Sequence, residues 1–229
     1  MSQVTIVAID GPAGAGKSTV AKTLAKKLGF LHIDTGAMYR SVTLAALRQK
    51  ANLKNDTELE KIAQESKIVL KPGEPENKVF LDGEDVSKEI RTPEVTQASA
   101  HIANSVPVRK ILVSHQQQIG RHDSAPYGGA VLEGRDIGTD VFPDAQYKFY
   151  LDASAITRAQ RRLRDLEKAG TTTTLEQVMT EVKARDDRDM NRAVGGLRKT
   201  PDSIVMDHSD LTVEQSAEAM FQYIRQNPR

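Results

Sequence analysis

"VTIVAIDGPAGAGKSTVAKTLAKKLG" runs from residue 4 to residue 29. Val4–Ile9 is a short apolar, β-branched run interrupted by Thr5, the composition of a buried strand. Thr19–Leu28 carries Val20, Leu24 and Leu28 at i, i+4 and i+8, a helical spacing, and Gly29 follows as a C-cap. Between strand and helix, residues 11–18 fit G-x-x-x-x-G-K-[ST]. The glycines let the backbone turn several N–H groups toward one point, and the helix N-terminus adds its positive end, so phosphate oxygens are stabilised there. The expected ATP-binding residues are Gly11, Pro12, Ala13, Gly14, Ala15, Gly16, Lys17, Ser18 and Thr19. Lys17 would reach the β- and γ-phosphates as a compact charge. The Ser18 hydroxyl would ligate Mg²⁺, which keeps most of its waters and is shared with the phosphates.

Outward from this unit, further apolar runs at Leu31–Ile33, Ala130–Leu132, Tyr147–Leu151 and Ser203–Met206 alternate with helical patterns. That alternation predicts an α/β layered fold around a parallel sheet. One segment breaks it. Ile68–Leu70, Lys78–Leu81 and Glu84–Val86 read as short antiparallel strands, with a Pro/Gly-rich turn at 71–77 and a hairpin signal at Asp82-Gly83. The 229 residues suit one core domain with such an insert. A hydrophobic content of 38% is enough for a core. The net charge of +1 supplies no global basic field for nucleic acid, so anion binding must be local. With no cysteine there is no disulfide framework or thiolate metal site, which suits a reducing cytoplasm. No stretch has the length of a membrane span, and Val4–Ile9 is too short for a signal peptide. The chain is expected to be soluble.

A nucleotide switch would need D-x-x-G and N-K-x-D signatures, and neither occurs. A kinase of a small acceptor needs a second site rich in arginine. "DTGAMYR", residues 34–40, follows the second strand; Thr35 is expected to cap a new helix that carries Tyr39 and Arg40. "EGRDIG", residues 133–138, sets Arg135 and Asp136 at the carboxyl end of the third strand, where ligands of open α/β sheets bind. Taken alone, each is equally an ordinary cap or a surface turn. "RDDRDMNR", residues 185–192, looks like a solvated charge run. However, Leu175, Val178, Met179 and Val182 form an apolar stripe, which Asp189 continues at ~100° per residue. Arg185 and Arg192 flank it within roughly a 60° arc, provided the helix runs to 192. A core stripe that ends in charge points to a helix overhanging a polar cleft, while Asp187 stays solvated.

"IDGPAGAGKST", "DTGAMYR", "EGRDIGTDVFPDA" and "RDDRDMNR" resemble, in order and spacing, the motifs of bacterial cytidylate kinases. The resemblance extends over nearly the whole chain. It implies a P-loop kinase of 1–63 and 101–229 with a five-stranded parallel sheet of order 2-3-1-4-5. It also implies a nucleoside-monophosphate lobe over 64–100 and a lid near 165–178, centred on 169–174. Position by position, Tyr39, Arg40, Arg135 and Arg192 would hold the acceptor phosphate, with Thr35 beside them among the substrate-binding residues. Arg185 and Asp189 would meet the sugar hydroxyls, and Arg109 and Asp136 would read cytosine. Lys17, Arg135 and Arg192 would act on the transferring phosphoryl group. The family's serine near the base is not carried over, because Ser99 falls out of register with it. A monomer is the implied state.

The implied reaction passes a phosphoryl group from ATP to CMP or dCMP. The acceptor is a phosphate with a second pKa of about 6, so no general base is required. What is required is alignment of two polyanions and neutralisation of the developing charge. The absence of a carboxylate dyad or a clustered histidine set among His32, His101, His115, His122 and His208 agrees with this. Those histidines read as surface or satisfied core positions. The Arg161/Arg162 pair is open between the transferring phosphates and a solvated helix face. Two other readings stay open: a kinase of UMP or AMP, and an ATP-binding module that is not a kinase.

Overall fold

The computed structural model of the chain describes residues 4–73, 77–168 and 170–229. Residues 74–76 of the expected Pro/Gly-rich turn and Ala169 of the expected lid lie outside them. The first elements are β1 (Thr5–Asp10), α1 (Lys17–Leu28), β2 (Leu31–Asp34), α2 (Thr35–Arg48) and α3 (Asp56–Glu65). Next come β3 (Ile68–Lys71), β4 (Lys78–Leu81), β5 (Glu84–Asp85), α4 (Pro93–Asn104) and α5 (Val106–Gln118). The chain continues through β6 (Gly129–Gly134), β7 (Tyr147–Asp152), α6 (Ala155–Lys168), α7 (Leu175–Met190), β8 (Ile204–Asp207) and α8 (Val213–Gln226).

The main sheet has the order β2-β6-β1-β7-β8, and β1 runs parallel to both β6 and β7. Counted within that sheet, this is the expected 2-3-1-4-5. Asp10 belongs to β1, one residue past the expected end, because the register continues with Asp10 opposite Gly134 and Tyr150. Likewise β8 starts at Ile204, since Ser203 instead closes a turn by donating its N–H to the Thr200 carbonyl at 3.0 Å. A separate antiparallel sheet joins β3, β4 and β5. Its hairpin bends at Asp82 (φ 52°) and Gly83 (φ 91°), the two positive φ values that a tight I′-type turn demands.

Two compact units divide the chain: residues up to His32 with Ala125–Arg229, and Ile33–Ser124. In the first, α1 and α8 cover a core of Val7, Ile9, Val20, Leu24, Val131, Phe149, Leu151 and Met220. Phe149 meets Tyr223 edge to face, with centroids 5.9 Å apart. In the same unit the expected stripe of α7 packs on α6, where Val178 and Val182 bury against Ala159 with Leu163, Leu166, Leu175 and Met179 around them. The second unit has its own core of Met38, Val42, Leu59, Ile62, Leu81, Val86, Ile90, Ile102 and Leu112.

Two local expectations are corrected. The cap of α2 is Asp34, not Thr35: its carboxylate accepts from the Ala37 N–H at 3.0 Å, and Thr35 is the first helical residue. Helix α7 ends at Met190 and does not reach 192. There the chain turns back, and the Leu197 N–H donates to the Asp189 carbonyl at 2.8 Å, satisfying an acceptor that a continuing helix would have used.

Candidate active site

The loop between β1 and α1 has the backbone its composition predicts. At Gly11, φ is +154° and a Cβ would stand 2.0 Å from the Leu151 carbonyl oxygen, so only glycine fits. At Gly16, φ is +86° and a Cβ would stand 3.0 Å from His208 Nε2. Gly16 is the N-cap of α1 and offers no side-chain cap, so the first N–H groups of the helix keep their anion-binding character. Lys17 is buried and donates to the Pro12 carbonyl at 2.7 Å. Burial, then the charges of Arg135 and Arg185, hold its pKa well below the ordinary lysine range, with Glu133 and Asp10 opposing. Ser18 is exposed.

Carboxylates stand around this loop that the motifs did not single out. Asp10 is buried at the end of β1 and accepts from the N–H groups of Ile137 (2.9 Å) and Gly138 (2.8 Å), which fixes the turn that follows Arg135 and Asp136. Glu133 is buried near the end of β6 and hydrogen-bonds the Ser18 side chain; His32 Nε2 stands 3.8 Å from its Oε1. Burial opposes its ionisation, but His32, Lys17 and Ser18 together hold its pKa below the usual value. Both carboxylates close strands that read as apolar runs. A charged residue ending such a run, beside a phosphate-binding loop, is the signal that would have found them.

Arg135, Asp189 and Arg192 form one cluster. Asp189 is buried and accepts from Arg135 Nε at 2.9 Å and from Arg192 at 2.7 Å. Burial raises its pKa, yet the charges of Arg135, Arg192 and Arg185 outweigh that and keep the carboxyl ionised below its ordinary value. Arg192 acts from beyond the helix end and also donates to the Gly195 carbonyl at 3.4 Å. Asp136 is buried and Arg185 half-buried, both in this first unit.

Thr35, Tyr39, Arg40 and Arg109 belong to the second unit. There the buried Arg109 guanidinium lies over the Tyr39 ring, 5.4 Å from its centroid, and donates to the Ala103 carbonyl at 3.2 Å. Ser99 bonds locally, its hydroxyl donating to the Thr96 carbonyl at 2.8 Å.

The Arg-rich helix α6 is less solvated than its composition suggests. Arg158 is buried and pairs with Asp186 at 2.7 Å. Arg161 donates to the His208 carbonyl at 2.7 Å and to the Ala15 carbonyl at 3.5 Å, whereas Arg162 is exposed. His208 is a satisfied core residue, with Nδ1 2.6 Å from the Ser216 hydroxyl; burial and Arg161 lower its pKa. Among the described residues, no group of three or more His, Cys, Asp or Glu side chains could hold a metal ion, and no helix is long and apolar enough to cross a membrane.

The sequence model of the cytidylate kinase family matches residues 7–226. A cytidylate kinase of Caldanaerobacter subterraneus subsp. tengcongensis is 47% identical over 97% of this chain and 96% of its own. The cytidylate kinase of Desulforamulus reducens is 45% identical over 98% of each chain, and that of Pasteurella multocida 41% identical over 99% and 98%. A crystal structure of an uncharacterized protein from Eubacterium ventriosum covers 97% of this chain and 99% of its own, with a TM-score of 0.50 at 14% identity. That last likeness concerns the fold alone.

Proposed function

The chain belongs to the cytidylate kinase family, and on that basis we propose which of its residues carry the reaction. It transfers the γ-phosphoryl group of ATP to CMP or dCMP, giving ADP and CDP or dCDP. The readings as a UMP or AMP kinase, or as a non-kinase ATP-binding module, are not favoured. Residues 11–19 hold the ATP phosphates, and Lys17 offsets charge that builds on the β- and γ-oxygens. The exposed Ser18 hydroxyl, hydrogen-bonded to buried Glu133, suits Mg²⁺, a cation that takes oxygen ligands and keeps several waters. When bound, Mg²⁺ would supply charge neutralisation between the transferring oxygens.

On the acceptor side, Arg135 and Arg192 hold the CMP phosphate, together with Tyr39, Arg40 and Thr35. Arginine's planar fork fits phosphate and stays charged throughout. The observation that carries this assignment is Asp189 set between Arg135 and Arg192, at 2.9 and 2.7 Å. It limits repulsion between the two arginines as they face an anion, and its oxygens accept from sugar hydroxyls beside Arg185. Because the acceptor phosphate is already ionised near neutral pH, in-line attack needs no general base. The stretch 165–178 covers the reacting groups and excludes water, and 64–100 forms the nucleoside-monophosphate lobe. The protein works as a cytoplasmic monomer on free nucleotides, without nucleic acid or membrane.

Base choice follows from hydrogen-bond polarity. Cytosine presents an N3 acceptor beside an N4 donor; Arg109 donates to the first and Asp136 accepts from the second. Uracil reverses both groups, which leaves buried polar groups unpaired and rejects it by a factor on the order of 10³ or more. Asp136→Asn is expected to lower the CMP-to-UMP ratio of kcat/KM by at least about tenfold. An unchanged ratio would show that Asp136 does not read the base.

A further inference from the structure

The buried pair Arg158–Asp186 has no part in the roles above. Arg158 stands in the first turn of α6. Its Nε donates to the Ala153 carbonyl at 2.9 Å, and one terminal nitrogen lies 3.0 Å from the Ala13 carbonyl and 2.7 Å from Asp186 Oδ2. One guanidinium therefore joins the chain leaving β7, the phosphate-binding loop and α7. Asp186 follows Arg185 directly and precedes Asp189 by less than a turn. Its second oxygen, Oδ1, is buried with no hydrogen-bond partner among the described residues.

This is a poor way to build stability alone. A buried ion pair loses hydration on both sides, and well-packed apolar residues often replace it without cost. The contact between α6 and α7 already has an apolar cluster in Ala159, Val178 and Val182. What that cluster does not do is tie α7 to the loop at Ala13; the guanidinium of Arg158 does, with two of its nitrogens reaching three acceptors.

We propose that Asp186 is a positioning residue for phosphoryl transfer, holding α7, through Arg158, at a set distance from the donor loop. The proposal rests on the reading that Arg185 and Asp189 bind the acceptor nucleotide. In-line transfer needs its reacting atoms at roughly 3–3.5 Å, and a misplacement of about 1 Å costs on the order of 10²-fold in rate. Loosening the tie therefore lowers kcat and leaves each substrate's own contacts in place.

The test uses the full chain with two variants, Asp186→Asn and the double variant Arg158→Met/Asp186→Leu, which removes both charges and leaves neither buried alone. Both are expected to lower kcat at saturating ATP and CMP by roughly 10- to 100-fold, with the Kd for ATP and the KM for CMP within about threefold of wild type. If the double variant folds and keeps kcat within about threefold of wild type, the pair is a structural staple and the proposal is wrong. It is equally wrong if ATP affinity falls as far as kcat, because Arg158 then acts on the donor itself. Should the double variant not fold, Asp186→Asn decides: unchanged kcat overturns the proposal, lowered kcat with intact ATP binding supports it. Arg185→Ala separates the underlying reading. If it leaves the KM for CMP unchanged, the assignment of α7 to the acceptor fails, and this inference with it.

Discussion

Asp10 ends β1 directly before the phosphate-binding loop, and both its oxygens hold the turn after Asp136, through Ile137 and Gly138. Burial pushes its pKa up from 3.8 to about 6 despite those two hydrogen bonds; Asp136 adds to the rise and Lys17 opposes it. The two values differ by about 3 kcal/mol in free energy. The folded pKa is the higher one, so between about pH 4 and 6 the folded chain keeps a proton that the unfolded chain has lost. The contribution to stability is complete below the unfolded value and is lost as pH rises through about 6. Asn does not titrate and keeps one acceptor oxygen, but its amide nitrogen cannot accept from the second backbone N–H, a loss of about 1–3 kcal/mol at every pH. Asp10→Asn is therefore expected to lie below the wild type at about pH 4 and to gain about 3 kcal/mol relative to it by about pH 7.5. The turn after Asp136 is less firmly held, so kcat/KM for CMP should fall. Denaturant unfolding of both proteins across this pH range measures the difference. A difference constant to about 1 kcal/mol over the range would refute the assignment of the shift to buried Asp10.

At Gly11, a methyl group would meet the Leu151 carbonyl oxygen at 2.0 Å, so Gly11→Ala must displace the end of β7 or the loop itself. A cost of about 3 kcal/mol or more and a melting temperature lower by roughly 6–12 °C are expected, checked by thermal unfolding; a shift under about 2 °C would contradict the close approach. Lys17→Ala removes the buried ammonium from the loop and should lower kcat by about 10²-fold or more at saturating substrates, with the fold retained by circular dichroism. Retention of more than about a tenth of wild-type kcat would remove Lys17 from the transfer step.

Much of this molecule is legible in the sequence because β-branched runs and a glycine-constrained loop leave few alternatives. Val4–Ile9, the loop and Thr19–Leu28 predict strand, turn and helix, and the parallel sheet follows from strands apolar on both faces. Strand ends slip by one residue at β1 and β8, because register with a neighbouring strand, which no local pattern encodes, sets them. At α2, Asp34 and Thr35 are both competent caps, and the choice falls to the carboxylate that reaches Ala37. The charge run of α7 divides by helix phase. Asp189 lies on the buried face as the stripe argument requires, but so does Asp186, four residues after Val182. Beside Asp187 it looks like one of two solvated acids, and only strict i, i+4 counting separates them. Arg158 was hidden for the opposite reason: a helix with arginines at 158, 161, 162 and 164 reads as a solvated face, and nothing local says that one of them turns inward to the loop.

Transfer from ATP to a cytosine nucleotide is read out by ADP formation by the wild-type protein with ATP and Mg²⁺. The assay is run with no acceptor and then with CMP, dCMP, UMP or AMP. CMP and dCMP are expected to stimulate turnover strongly, with kcat/KM for CMP on the order of 10³-fold above that for UMP. ATP turnover indifferent to every monophosphate, or equal stimulation by CMP and UMP, would contradict it.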